Sequence, residues 1–154
     1  LHYGRYGEGG DDERLVPLFI GYPEFVRGYG VNSFSGAECE SNGACPTFDR
    51  LSGTRMLVGN IELRFPLLRP FGVSDRMYGP LPVEVAFFLD GGLAWNKGQK
   101  PSFFNGGTRE PVTSAGITLR TNLLGFATAQ IDYARPFDRP GRGWMWGFSL
   151  TPAF

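Results

Sequence analysis

The sequence predicts an all-β protein: an antiparallel up-and-down meander of five to six strands belonging to a transmembrane β-barrel. Three observations predict it. Among 154 residues, 23 are glycine and 15% are aromatic, a composition of many strands and tight turns rather than of helices. Five stretches alternate apolar and polar side chains with the period of two that sends successive residues to opposite faces of a strand. The polar faces are mild, rich in Gly, Ala, Ser, Thr, Asn and Gln with single charges such as Glu62, Arg64, Asp90, Arg120 and Asp132. That suits a crowded hydrated lumen better than the charged surface of a soluble sandwich.

The opening LHYGRYG alternates like the end of a strand over 1–7, and residues 8–53 read as one long loop. Five strands then fill 54–154. In RMLVGNIELRFP, Leu57, Gly59, Ile61, Leu63 and Phe65 oppose Met56, Val58, Asn60, Glu62 and Arg64. In VEVAFFLDGG, Val83, Val85, Phe87 and Leu89 oppose Glu84, Ala86, Phe88 and Asp90. From Ser114 to Leu123, Ala115, Ile117, Leu119 and Thr121 oppose Gly116, Thr118, Arg120 and Asn122. From Phe126 to Phe137, Ala127, Ala129, Ile131 and Tyr133 oppose Thr128, Gln130, Asp132 and Ala134. The last two form a hairpin. Their polar residues are all even-numbered, so the turn must hold an odd number of residues, and Gly125 can supply the positive φ of a three-residue turn. In WMWGFSLTPAF, Trp144, Trp146, Phe148, Leu150 and Phe154 share a face opposite Met145, Gly147, Ser149, Thr151 and Ala153. Five strands and the end of a sixth fall short of the roughly eight that close the smallest barrels. The expectation is a longer native chain, several chains combining, or a fragment.

Composition removes several function classes. Fifteen basic residues balance fifteen acidic ones with no Lys/Arg cluster, so no nucleic-acid partner is expected. No apolar run reaches the roughly 18 residues of a spanning helix, but a barrel strand needs only about 9–11 residues, apolar on alternate positions. Ser33 and Ser114 have no histidine to activate them, since the single histidine, His2, stands at the chain start; no catalytic set and no enzyme are expected. Asp11 and Asp12 read as a solvated loop. Cys39 and Cys45, six apart in AECESNGAC, are expected to form a disulfide that pins the loop; a zinc site would want two further soft ligands, so no metal is expected.

Aromatic residues near strand ends (Trp95, Tyr133, Phe137, Trp144, Trp146, Phe154) fit the girdles of a barrel at the membrane interface. If Phe154 ends at the periplasm, counting strands back puts the loops at Asp138, at Asn96 and at Gly7 to Gly53 outside and the short Leu124-Gly125 turn inside. Short turns inside and long loops outside is the expected asymmetry.

Within the long loop, FVRGYG holds Val26-Arg27-Gly28-Tyr29, and further on stand Glu62-Leu63-Arg64-Phe65, Phe88-Leu89-Asp90-Gly91-Gly92, Ser114 to Ile117 and Asp132 to Phe137. In this order the segments resemble the C-terminal part of the outer-membrane assembly-factor superfamily, the BamA/TamA-type or bacterial surface antigen barrels, related to two-partner secretion transporters. The resemblance covers nearly the whole chain. It implies the C-terminal five to six strands of such a barrel, a bacterial outer-membrane location with the C-terminus facing the periplasm, and assembly, insertion or translocation of polypeptides. The implied partners are outer-membrane lipid, unfolded outer-membrane clients or secreted polypeptides, and assembly-machinery subunits. No cofactor is needed, since backbone pairing and apolar transfer into lipid would drive strand insertion. The resemblance further implies that the VRGY loop folds back into the lumen, where Arg27 pairs with Glu62 and Asp90, two carboxylates that the alternation puts on the polar face of neighbouring strands. A guanidinium fork bridges two carboxylates in a way that lysine does not. Phe25, Val26 and Tyr29 would seat the loop tip, with Gly28 and Gly30 turning the backbone. The favoured role is a lock on the barrel's shape rather than a contact to a substrate. Trp146, Phe148, Leu150 and Phe154 resemble a C-terminal recognition signal, and Pro152 suits an edge strand. The competing reading is a surface-displayed structural barrel module without assembly activity.

Overall fold

The computed structural model describes residues 1–6, 16–40, 43–67, 83–102, 109–123 and 125–152. Six strands make one antiparallel sheet curled into a half-barrel, in the order β1(His2–Arg5), β4(Arg55–Pro66), β5(Val83–Trp95), β6(Val112–Leu123), β7(Ala127–Pro136), β8(Met145–Pro152). The long segment between β1 and β4 carries the remaining elements: β2(Leu18–Phe19), two 3-10 turns at Val31–Ser33 and Gly36–Glu38, the single helical turn α1(Pro46–Asp49), and β3(Ser52–Gly53), which pairs with β2. The segment was expected as loop throughout; its pieces are too short to show a period in sequence.

Alternation sets which face meets what. Even-numbered residues of β1 and β4 to β7, and odd-numbered residues of β8, point to the face covered by segment 16–53, here called the inner face. Val58, Ala94 and Val112 pack there with Ile20, Val26, Tyr29 and Leu51 of the segment into a fully buried core. Odd-numbered Ile61, Leu63, Phe65, Phe87, Leu89 and Ile117 stay bare on the outer face. A soluble protein of this size rarely leaves so continuous an apolar surface uncovered.

Strand limits shift from the sequence expectation only at their ends. β5 runs on to Trp95, and β6 starts at Val112. β8 is described from Met145 to Pro152, with Ala127 of β7 opposite Pro152; the expected positions of Ala153 and Phe154 lie outside the described residues, as do Asp11 and Asp12. Between β6 and β7, Leu123 faces Ala127, leaving a three-residue turn in which Gly125 has φ +83°.

Candidate functional site

The site is built where the FVRGYG stretch meets the inner faces of β4 to β7. Pairing puts Asn60 opposite Asp90 and Thr118 opposite Asp132; with Glu62 and Phe88, also directly opposed, they form a polar wall around one aromatic ring. Arg27 enters this wall. Its Nε donates to Asp90 Oδ2 at 2.7 Å and its Nη2 to Asp90 Oδ1 at 2.8 Å, a two-pronged bond. Nη1 lies 2.7 Å from Glu62 Oε1 and donates to Thr118 Oγ1 at 3.0 Å. Thr118 in turn donates to Asp132, whose carboxylate stands 4.0 Å from Nη1. The guanidinium lies over the Phe88 ring at 3.7 Å. Even the backbone N–H of Arg27 donates to Asp90 Oδ2.

Burial gives these contacts their weight. The Arg27 side chain is 5% exposed and that of Asp90 0%, so both charges have left water and each needs the other. Asn60 Nδ2 bridges Asp90 Oδ1 and the Phe25 carbonyl, fastening the backbone just before Arg27. Arg64 holds the second oxygen of Glu62 at 2.6 Å.

The neighbours of Arg27 seat the tip. Val26 and Tyr29 are fully buried, and Tyr29 donates its hydroxyl to the Thr113 carbonyl at 2.8 Å, with Asp138 beside it; burial raises the pKa of that phenol. Gly28 has φ +87°, where an L side chain is strained. On the wall, a Cβ at Gly92 would stand 2.6 Å from Val26 Cγ2, so glycine there makes room for the tip. Gly30, expected to turn the chain, has an ordinary φ of −56° and open space around it; the turning is done at Gly28.

A second cluster, missed in sequence, holds the loop from the β7–β8 connection. Arg139, buried, donates to both oxygens of Glu38 at 2.8 and 2.9 Å, to the Gly28 carbonyl at 2.7 Å and to Ser33 Oγ and O at 2.8 Å. Its guanidinium stacks on Phe34 at 3.9 Å. Arg142 adds a bond to Glu38 at 2.9 Å. These arginines hold the Glu38 carboxyl down at a pKa of about 2. The signal was present in DRPGRG, but nothing in the spacing ties it to Glu38, about a hundred residues away. Asp132, Thr118 and Asn60 were legible only as polar-face residues. Cys39 and Cys45 are bonded to each other in the segment, and no cluster of metal-ligating side chains occurs among the described residues.

A curled antiparallel sheet, bare and apolar outside, polar inside and covered by its own loop, defines the wall of a membrane-spanning β-barrel. The family model described as the Omp85 superfamily domain matches residues 7–150, and the chain belongs to that superfamily. It is thereby a protein of the bacterial outer membrane, from a family of assembly and translocation proteins that work with outer-membrane substrates and partner subunits. No curated protein and no solved structure matches the chain.

Proposed function

We propose that this chain is part of a barrel that inserts or translocates polypeptides at the outer membrane, and that Arg27 is the lock keeping its loop folded into the lumen. Superfamily membership supports the first part. The observation that carries the second is the nearly complete burial of Arg27 among Asp90, Glu62 and Asp132. Unfolded outer-membrane proteins or secreted polypeptides are the clients, and assembly-machinery subunits the partners. The C-terminus faces the periplasm, which puts the β1–β4 segment and the β5–β6 and β7–β8 connections outside, and the β4–β5 connection and the Gly125 turn on the periplasmic side; the length of the β1–β4 segment against the short Gly125 turn supports this orientation. Trp146, Phe148 and Leu150, exposed on the outer face of the edge strand β8, serve with Phe154 as the recognition signal. The Cys39–Cys45 disulfide narrows the freedom of the outer segment.

The second reading, a structural module without assembly activity, is favoured by the number of fastenings on the loop: Arg27, Tyr29 and Arg139 together would suit a fixed plug. Complementation separates them. Cells whose only copy carries Arg27→Ala should keep a folded, inserted barrel and lose several-fold in the yield of folded outer-membrane proteins. Unchanged yield would sink the part of the Arg27 lock in assembly and favour the plug.

A further inference from the structure

On the outer face, Arg5 of β1 stands directly opposite Arg55 of β4, which stands opposite Trp95 of β5. Directly opposed side chains on one face have Cβ atoms about 5 Å apart, and like charges in that arrangement repel. Among the described residues neither guanidinium has a hydrogen-bond or ion-pair partner. The inner face differs: Arg64 is paired with Glu62 and Arg120 with Gln130. Two opposed arginines on the lipid-facing side thus lack the side-chain acceptor that Arg64 and Arg120 each have on the inner face, a carboxylate for the first and an amide oxygen for the second.

Their height identifies the anion. Phe65 and Arg55 are the two ends of the outward column of β4, and their ten-residue separation is ~33 Å along the strand and, at a tilt of about 45°, ~24 Å along the membrane normal. The apolar band of a bacterial barrel is about 25 Å tall. With Phe65 at one boundary, Arg55 reaches the other, at headgroup level. Directly below the two arginines the same columns turn apolar, with Tyr3 opposite Leu57 and then Ile61 and Leu63.

We propose that Arg5 and Arg55 form a binding site for the phosphate group of an outer-leaflet lipid. Two guanidinium forks match the oxygens of one phosphate, and the Tyr3–Leu57 column receives the acyl chain beneath it. An acidic peptide would satisfy the charges but leave that column bare. The assignment to the outer leaflet rests on the orientation proposed above; the phosphate chemistry does not.

Native mass spectrometry of the full-length protein in detergent micelles tests it, using bisphosphorylated lipid A, its dephosphorylated form and phosphatidylglycerol as probes. The wild type should retain the phosphorylated glycolipid about tenfold more tightly than the dephosphorylated one. The Arg5→Gln/Arg55→Gln variant should lose that difference, and Arg5→Lys/Arg55→Lys should keep part of it. Equal retention of both glycolipids by the wild type overturns the site, and is the result expected if carboxylates of Glu8, Asp11, Asp12 or Glu13 neutralise the arginines instead. That comparison needs no variant, so it decides even if the glutamine variant does not fold. Equal retention of phosphatidylglycerol overturns the outer-leaflet source. Orientation is read separately: Lys97→Cys should react with a membrane-impermeant maleimide on intact cells, and reaction only after permeabilisation would overturn the orientation, and with it the outer-leaflet assignment.

Discussion

Arg27 and Arg139 treat the same loop differently. Arg27 ties the tip to strands β4 to β7, and removing its side chain would strand the buried carboxylate of Asp90 beside those of Glu62 and Asp132. Breaking a buried pair from one side costs about 3–5 kcal/mol. Arg139 ties the loop to the β7–β8 connection through Glu38, and this fastening is acid-sensitive. The Glu38 pKa is lowered from 4.5 to about 2, so its contribution is complete above pH 4.5 and is lost as pH falls towards about 2. Protease cleavage of segment 31–40 should therefore rise on acidification through that window, while Glu38→Gln should cleave readily at neutral pH and show little of that dependence. Cleavage of the wild type that stays flat between pH 5 and about 2 would remove Glu38 from the account.

At the level of elements, the strands were legible and the contents of the long segment were not. Period-two alternation registers directly in sequence, and it places Glu62, Asp90, Thr118 and Asp132 on the polar faces of their strands, which the pairing joins into one. The odd turn at Gly125 followed from the same parity. What alternation does not encode is which wall positions a distant loop will reach: Arg27 meets Asp90 across sixty-three residues and Thr118 across ninety-one. The resemblance supplied Glu62 and Asp90 as partners, but Asp132, Thr118, Phe88 and the whole Arg139 cluster depend on the curl of the sheet. Two substitutions probe the elements separately. Gly92→Val pushes a side chain into Val26 and should loosen the loop by about 1–3 kcal/mol, raising proteolysis of 16–53 while the sheet stays resistant to heat-induced unfolding. Phe148→Arg puts a charge on the lipid face of β8 and should cost about 2–4 kcal/mol of insertion if the residue lies near the midplane. Refolding into vesicles under graded urea measures it, and an unchanged midpoint would move β8 away from the lipid.

For the whole molecule, one division of labour follows from the two faces. The outer face, apolar from Leu57 to Phe65 and from Val83 to Leu89, is shaped for lipid; the inner face, polar and glycine-spaced, is shaped for its own loop. A loop held at both tip and flank stays with the wall until several buried bonds break together, and the superfamily's work on polypeptides would then proceed around a fixed insert or require its release. Hydrogen exchange at the amides of Val26 to Tyr29, compared between the native protein and Arg27→Ala in outer-membrane vesicles, tests the fastening directly. The account predicts slow exchange in the native protein and exchange roughly 10²- to 4 × 10³-fold faster in the variant, with the β5 and β6 amides unchanged, because about 3–5 kcal/mol of local protection is lost. Equal exchange in the two proteins would contradict it, since Arg27 would then hold nothing in place.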